Sequence, residues 1–319
     1  MRVLVALGGN AMTGPDGDAA PHAQRHAIAI AMSHVADLVA AGHDVAITHG
    51  NGPQVGNILV KNELAAHAVT PEPLDWCGTE TQGTIGFTML DALEAGLAQR
   101  GVERPVAAIV TRTLVDADDP GFAHPTKPIG RYATREEAAR LIEHGQTWED
   151  RGEKGWRRVV ASPEPLEVLD AHTVITLMRA GYVVVAAGGG GVPVVGTDNA
   201  AVHGVEAVID KDLTAALLAR AMAADILVIA TDIEHAILGF GTPEAQPIGR
   251  VGLAEMETYA AHGHFASGSM GPKVEAALRF VRSGGARSII TTLDQIGVAV
   301  DGGVGTIIES HVAPAESER

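Results

Sequence analysis

Five lysines stand among 319 residues: Lys61, Lys127, Lys154, Lys211 and Lys273. Three of them sit where a solvated surface lysine is not required. Lys127 lies in Thr126-Lys127-Pro128, Lys211 in Asp210-Lys211-Asp212 at a strand end, and Lys273 at a helix start after Met270-Gly271-Pro272. A cation in the first helical turn opposes the helix dipole unless an anion offsets it. Lys211 and Lys273 therefore read as ligand-facing, and Lys61 as surface. Glycine-rich turns supply the matching chemistry. Gly8-Gly9-Asn10 follows one apolar run, Gly50-Asn51-Gly52 follows a second, and Gly188 to Gly191 follows a third. Small residues let backbone N–H groups approach an anion. Neither the Gly-x-Gly-x-x-Gly spacing of a dinucleotide site nor a P-loop is present. His22 and His26 have the i, i+4 spacing of a helical metal pair, but no third ligand is evident, so they read as solvated histidines.

These groups need a frame. Val3 to Leu7 and Val45 to Thr48 are short apolar runs that predict buried strands, with a helix from Ala23 to Ala41 between them. A helix is expected from Gln54 and another from Gly83 to Arg100, then a strand over Val106 to Val115. The rhythm returns with a helix over Leu166 to Ala180 and strands over Tyr182 to Ala187, Val205 to Asp210 and Ile226 to Ala230. Helices over Leu213 to Ala224, Leu253 to His262 and Pro272 to Ser283 follow, with strands over Ser288 to Thr292 and Gly305 to Ile308. Strands alternating with helices predict parallel βαβ units, whose ligands sit at the carboxyl edge of the sheet. Residues 117–165 break the pattern. This stretch holds Pro120, Pro125, Pro128, Pro163 and Pro165, Trp148 and Trp156, and one short helix marked by the capping box of Thr134 and Glu137. It reads as an excursion from the sheet that could serve as a lid. Pro314 to Arg319 reads as a polar tail.

Composition limits the function. The net charge of −16 argues against broad binding of nucleic acid or anionic membrane, because neutralising phosphates needs an excess of Lys and Arg. A few lysines in one cleft can still bind a small anion. Aromatics are only 3%, so the core must be built from Ala, Val, Leu and Ile. One cysteine, Cys77, excludes an internal disulfide and a cysteine zinc cluster. The first residues read as a strand rather than a leader, and no apolar stretch is long enough to span a bilayer, so a cytoplasmic protein is expected.

Together these segments resemble the carbamate kinase branch of the amino acid kinase family. The resemblance runs from Val5 to Ile308 and rests on His49 to Gly56, His124 to Gly130, Gly155 to Val160, Gly188 to Gly196, Gly204 to Asp212 and His264 to Lys273. Glu234-His235 and Trp76 to Glu80 depart from the commoner family pattern. The resemblance implies a three-layer αβα sandwich around a mostly parallel sheet, the amino acid kinase fold with a protruding lid. It implies a lobe over 1–200 for carbamate or carbamoyl phosphate, with the lid 117–165 inserted, and a nucleotide lobe over 201–319. Lys127, Lys211 and Lys273 fall on catalytic lysines, and Asp212 on the aspartate that positions them. Gly8, Gly9, Asn10, Gly50, Asn51 and Gly52 would hold the carbamate and the transferred phosphoryl group. Thr231, Asp232, Phe240 and Met270 would lie near ATP or ADP. Mg²⁺ would accompany the nucleotide, bound mainly by phosphates and water. A homodimer and ATP synthesis in catabolism, as in arginine metabolism, are likewise implied. Because carbamate is already an anion, no general base is needed. The obstacle is repulsion between anions, which fixed cations and backbone donors relieve. Another amino acid kinase acting on a carboxylate or phosphate acceptor, and a non-catalytic sensor of carbamoyl phosphate or nucleotide, are the rival readings.

Overall fold

A computed structural model of the chain describes residues 1–14, 18, 20–197, 201–265 and 270–311, with Asn10 described by its backbone alone. The early strands are β1 (Arg2–Leu7), β2 (Asp44–His49), β3 (Val106–Ala108), β4 (Arg112–Val115), β5 (Lys127–Ala133), β6 (Thr147–Asp150), β7 (Trp156–Val160) and β8 (Pro165–Val168). The later ones are β9 (Val183–Val185), β10 (Val192–Gly196), β11 (Val202–Gly204), β12 (Ile226–Thr231), β13 (Ile237–Leu238), β14 (Gln246–Pro247), β15 (Arg250–Gly252), β16 (Arg287–Thr292) and β17 (Thr306–Glu309). The helices are α1 (Pro21–Ala40), α2 (Gly52–Ala65), α3 (Leu74–Gln99), α4 (Pro120–Ala123), α5 (Arg135–Glu143), α6 (Ala171–Arg179), α7 (Lys211–Ala221), α8 (Leu253–Ala261), α9 (Met270–Arg282) and α10 (Ile296–Val300).

An eight-stranded sheet in the order β15-β17-β16-β12-β1-β2-β9-β3 forms the middle layer. Its pairings are parallel except for β16 with β17. Side chains alternate across a strand, and β1 shows the result. Val3, Val5 and Leu7 join the cluster beneath α1, α3 and α10, whereas Leu4 and Ala6 join the one beneath α6, α7, α8 and α9. Both faces are therefore buried, which is why the strands read as unbroken apolar runs rather than alternating ones. Each large aliphatic side chain so buried contributes about 1.5–3 kcal/mol. The expected three-layer α/β sandwich is the observed fold.

A second sheet, β11-β10-β4-β8, flanks the first. Its β4 and β8 run antiparallel, with Val115 opposite Pro165. Between those two residues the chain makes its excursion. The lid is a three-stranded antiparallel sheet, β5-β7-β6, with α5 packed on it through Ala133, Ala138 and Trp148. The capping box is present: Glu137 N–H donates to Thr134 Oγ1 (3.2 Å) and Thr134 N–H to Glu137 Oε2 (2.9 Å). At its base, Ile129 and Val160 join Val55, Leu59, Leu74 and Cys77 in one apolar cluster. The lid strand and α2 meet closely there. A Cβ on Gly56 would lie 3.4 Å from the Gly130 Cα.

Several elements depart from the sequence-based expectation. Val106 to Val115 is two strands, because the chain leaves the large sheet at Ile109 and enters the second at Arg112. Gln82 makes the break possible. Its side chain accepts from the Thr111 N–H (2.8 Å) and donates to the Thr111 carbonyl (3.2 Å), which also accepts the Val192 N–H (2.8 Å). Leu166 to Ala180 opens as strand β8 and turns helical only after Asp170, whose carboxylate accepts the Arg112 N–H at 2.8 Å. Val205 to Asp210 is not a strand and keeps a single bridge, Ala161 to Ala207. The helices expected from Gln54 and Gly83 start at Gly52 and Leu74. The excursion holds the second short helix α4 besides α5. Among the described residues no helix is long and apolar enough to cross a membrane.

Candidate active site

Five parallel strands end at one edge of the large sheet, and their following residues converge. β1 delivers Gly8-Gly9, β2 delivers Gly50-Asn51, β9 leads to Gly188 to Gly191, β12 ends at Thr231-Asp232, and β16 ends at Thr292 before Asp294. Backbone bonds fix the turns: Gly8 N–H donates to Ala230 O (3.0 Å), and Gly50 N–H to Leu7 O (3.1 Å). Beneath them lies His49, buried, its Nδ1–H donating to Gly50 O at 2.8 Å. Burial, aided by the Lys211 charge, pushes this imidazole down to about 4, so it is neutral at physiological pH. Asn51 Nδ2–H donates to Thr81 Oγ1 (2.8 Å). Gly189 closes against it with φ +65°, and a Cβ there would lie 2.2 Å from the Asn51 amide, so only glycine fits.

The lysines gather around the start of α7. Asp210 caps that helix, its Oδ1 accepting the Asp212 N–H at 3.0 Å. Asp212 is 3% exposed. It accepts from Lys211 on one oxygen and from Lys273 on the other, the latter at 3.1 Å. Lys273 comes from the first turn of α9 and is itself buried. Burial alone would raise the Asp212 carboxyl, but the two ammonium groups outweigh it and hold it below its ordinary value. Lys127, at the start of lid strand β5, donates to Asp210 Oδ2 at 3.0 Å.

Two clefts open around this cluster. The larger, about 1430 Å³, lies between α2, α3 and the lid, and is lined by Gly50, Asn51, Gly52, Lys127, Asp212 and Gly189, among others. The smaller, about 540 Å³, is lined by Gly8, Thr231, Asp232, Thr292 and Asp294. Gly9, Lys211 and Lys273 border both. A polyphosphate entering one cleft and a small anion entering the other would meet at two ammonium groups.

The structure thus brings together Gly8, Gly9, Gly50, Asn51, Gly52, Lys127, Lys211, Asp212, Lys273, Thr231 and Asp232. Phe240 and Met270 line neither cleft. Phe240 is 78% exposed beyond β13, and Met270 packs partly buried against the core below α9. The Asn10 side chain and residues 266–269 of the His264 to Lys273 segment lie outside the described residues. His22 and His26 are exposed on α1. Sequence reasoning gave no role to Asp210, Thr292, Asp294, Arg131 or Arg157, all of which line the clefts. For Thr292 and Asp294 a signal existed, because they follow a strand ending at the same edge as Thr231.

This arrangement of two clefts at the carboxyl edge, joined by Lys211 and Lys273, defines a phosphoryl-transfer site, and the chain belongs to the amino acid kinase family, whose model matches residues 1–292. Carbamate kinase of Thermococcus kodakarensis is 43% identical over 96% of this chain and 98% of its own length. The carbamate kinase-like protein YqeA of Escherichia coli is 43% identical over 96% of this chain and 98% of its own. The solved structure of carbamate kinase from Giardia lamblia bound to AMP-PNP superposes with a TM-score of 0.91 at 39% identity, covering 97% of this chain and 98% of that one.

Proposed function

We propose that the chain is a carbamate kinase, moving a phosphoryl group reversibly between ATP and carbamate. The observation that carries this reading is the sharing of Gly9, Lys211 and Lys273 by the two clefts, in a chain over 40% identical to carbamate kinases along nearly its whole length. In the direction of ATP synthesis, a terminal ADP oxygen bonds to phosphorus as the bond from phosphorus to the carbamate oxygen breaks. Carbamate leaves as an anion, so no proton has to be moved. Lys211 and Lys273 offset charge on the transferred group throughout, and Lys127 offsets it from the lid side. Backbone N–H groups around Gly9, Asn51 and Gly52 hold the acceptor side, and Thr231 and Asp232 the nucleotide side.

On this reading residues 1–200 with the lid form the acceptor lobe and 201–319 the nucleotide lobe. Asp232 and Asp294 put hard oxygen donors in the smaller cleft, which suits Mg²⁺ keeping most of its water. The metal would neutralise polyphosphate charge. The likeness to carbamate kinases further suggests a cytoplasmic enzyme supplying ATP from carbamoyl phosphate in catabolism, including arginine breakdown. Trp76 and Phe87 are 62% and 53% exposed on α3, apolar surface that a homodimer would cover. A dimeric mass by light scattering at micromolar concentration is expected; a monomer would remove that part of the reading.

Incubation of the purified protein with ADP, Mg²⁺ and carbamoyl phosphate should yield ATP well above spontaneous background. Phosphorylation of acetylglutamate or UMP without ATP formation from carbamoyl phosphate would overturn the assignment.

A further inference from the structure

Asp210 has so far served only as a helix cap. Its second oxygen does something a cap does not require: it holds Lys127 from the lid, 83 residues away in sequence, at 3.0 Å. Two residues on, Asp212 holds Lys211 and Lys273. One turn of backbone at the start of α7 therefore gathers all three lysines. We infer that Asp210 is a positioning residue that ties the lid lysine to α7, the helix that carries Lys211 and whose Asp212 holds Lys273 from α9. The inference rests on the carbamate kinase reading and deepens it.

The physical argument concerns freedom. Lys127 keeps 41% of its side chain exposed, against 15% and 10% for Lys211 and Lys273. A lysine is a point charge on a flexible four-carbon stem, so an exposed one has no preferred direction unless a partner supplies it. Other lid-to-body ion pairs, among them Arg131 with Glu63 (3.0 Å), Arg158 with Glu206 (3.3 Å) and Arg279 with Glu164, tether the lid but do not aim Lys127. Asp210 does. It is itself fixed by its bond to the Asp212 N–H, so its free oxygen has one place to be. An ammonium has three donors. One bond to Asp210 leaves two for a phosphoryl oxygen, so the contact need not compete with substrate.

The test is a double-mutant cycle in the full chain: parent, Asp210→Asn, Lys127→Ala and both together, with kcat, ADP dissociation constant and thermal unfolding for each. Asparagine retains a capping oxygen, so Asp210→Asn should unfold within a few degrees of the parent. Its kcat should fall by about 10-fold, a coupling typical of directly contacting residues, with ADP affinity within about twofold. Lys127→Ala should lose on the order of 10²-fold, and the double variant no more than that, because Asp210 acts only through Lys127. Losses that multiply to about 10³-fold, or an Asp210→Asn enzyme as fast as the parent or faster, would overturn the inference. A parent that makes no ATP would instead sink the functional reading itself.

Discussion

Asp212→Ala is expected to lower the stability of the protein by about 3–5 kcal/mol and its kcat by on the order of 10²- to 10³-fold. The Asp212 carboxylate is 3% exposed and holds two ammonium groups, one of them the buried Lys273. Removing it leaves two like charges side by side with nothing between them. They must then deprotonate or pull apart toward water, and either change removes the geometry that lets both face a phosphoryl group. Asp212→Asn keeps the volume but loses the charge. It should fall close to Ala if charge dominates, and close to the parent if packing does. The acid limb gives a second readout. The folded carboxyl lies below 3.8 because Lys211 and Lys273 outweigh its burial. The stability it supplies is present above about pH 4 and is lost as pH falls through the folded value. Urea unfolding of the parent between pH 6 and pH 3 should show this loss, and Asp212→Ala should show less of it. Equal stability of parent and Ala variant at pH 7 would refute the argument.

Lys127→Ala should lower kcat by on the order of 10²-fold or more while leaving ADP affinity nearly unchanged. Lys127 lines the larger cleft and not the smaller one, whereas Lys211 and Lys273 line both. An interaction made from a lid, in the reacting complex, lowers the barrier more than it tightens ground-state binding. Lys211→Ala and Lys273→Ala should reduce turnover and also weaken ADP measurably by calorimetry. Should Lys127→Ala chiefly weaken ADP while turnover survives, the lysine belongs to the nucleotide side and the division of labour is wrong.

Much of this frame was legible in the chain. Runs such as Val3 to Leu7, bounded by glycine, could hardly be anything but strands buried on both faces, and lysines beside Asp210 and in the first turn of α9 stand out against the dipole rule. Where the reading slipped, a tertiary contact had overridden a local pattern. Val106 to Val115 is uniformly apolar until Thr111, and nothing local reveals that Gln82, on a helix 29 residues earlier, will take the Thr111 N–H where the chain turns into another sheet. Leu166 to Ala180 has helical spacing, yet its first residues pair with β4 instead. The lysines themselves could be found because their settings are local. Asp210 has no role in the sequence reading, since its bond to Lys127 joins residues 83 apart, across most of the excursion and three strands of the second sheet.

The paired positions Val115 and Pro165 carry a consequence for how such an enzyme can be altered. The chain departs for the lid from one strand and returns on its antiparallel neighbour, so the two ends of the insertion lie roughly 5 Å apart. A segment with adjoining ends can be lengthened, trimmed or exchanged without rerouting the strands on either side. The core then inherits Lys211, Lys273 and Asp212 unchanged, while Lys127 arrives with whatever occupies the gap. The lid is in that sense a cassette: the lysine it carries can be revised while Lys211, Lys273 and the large sheet stay as they are.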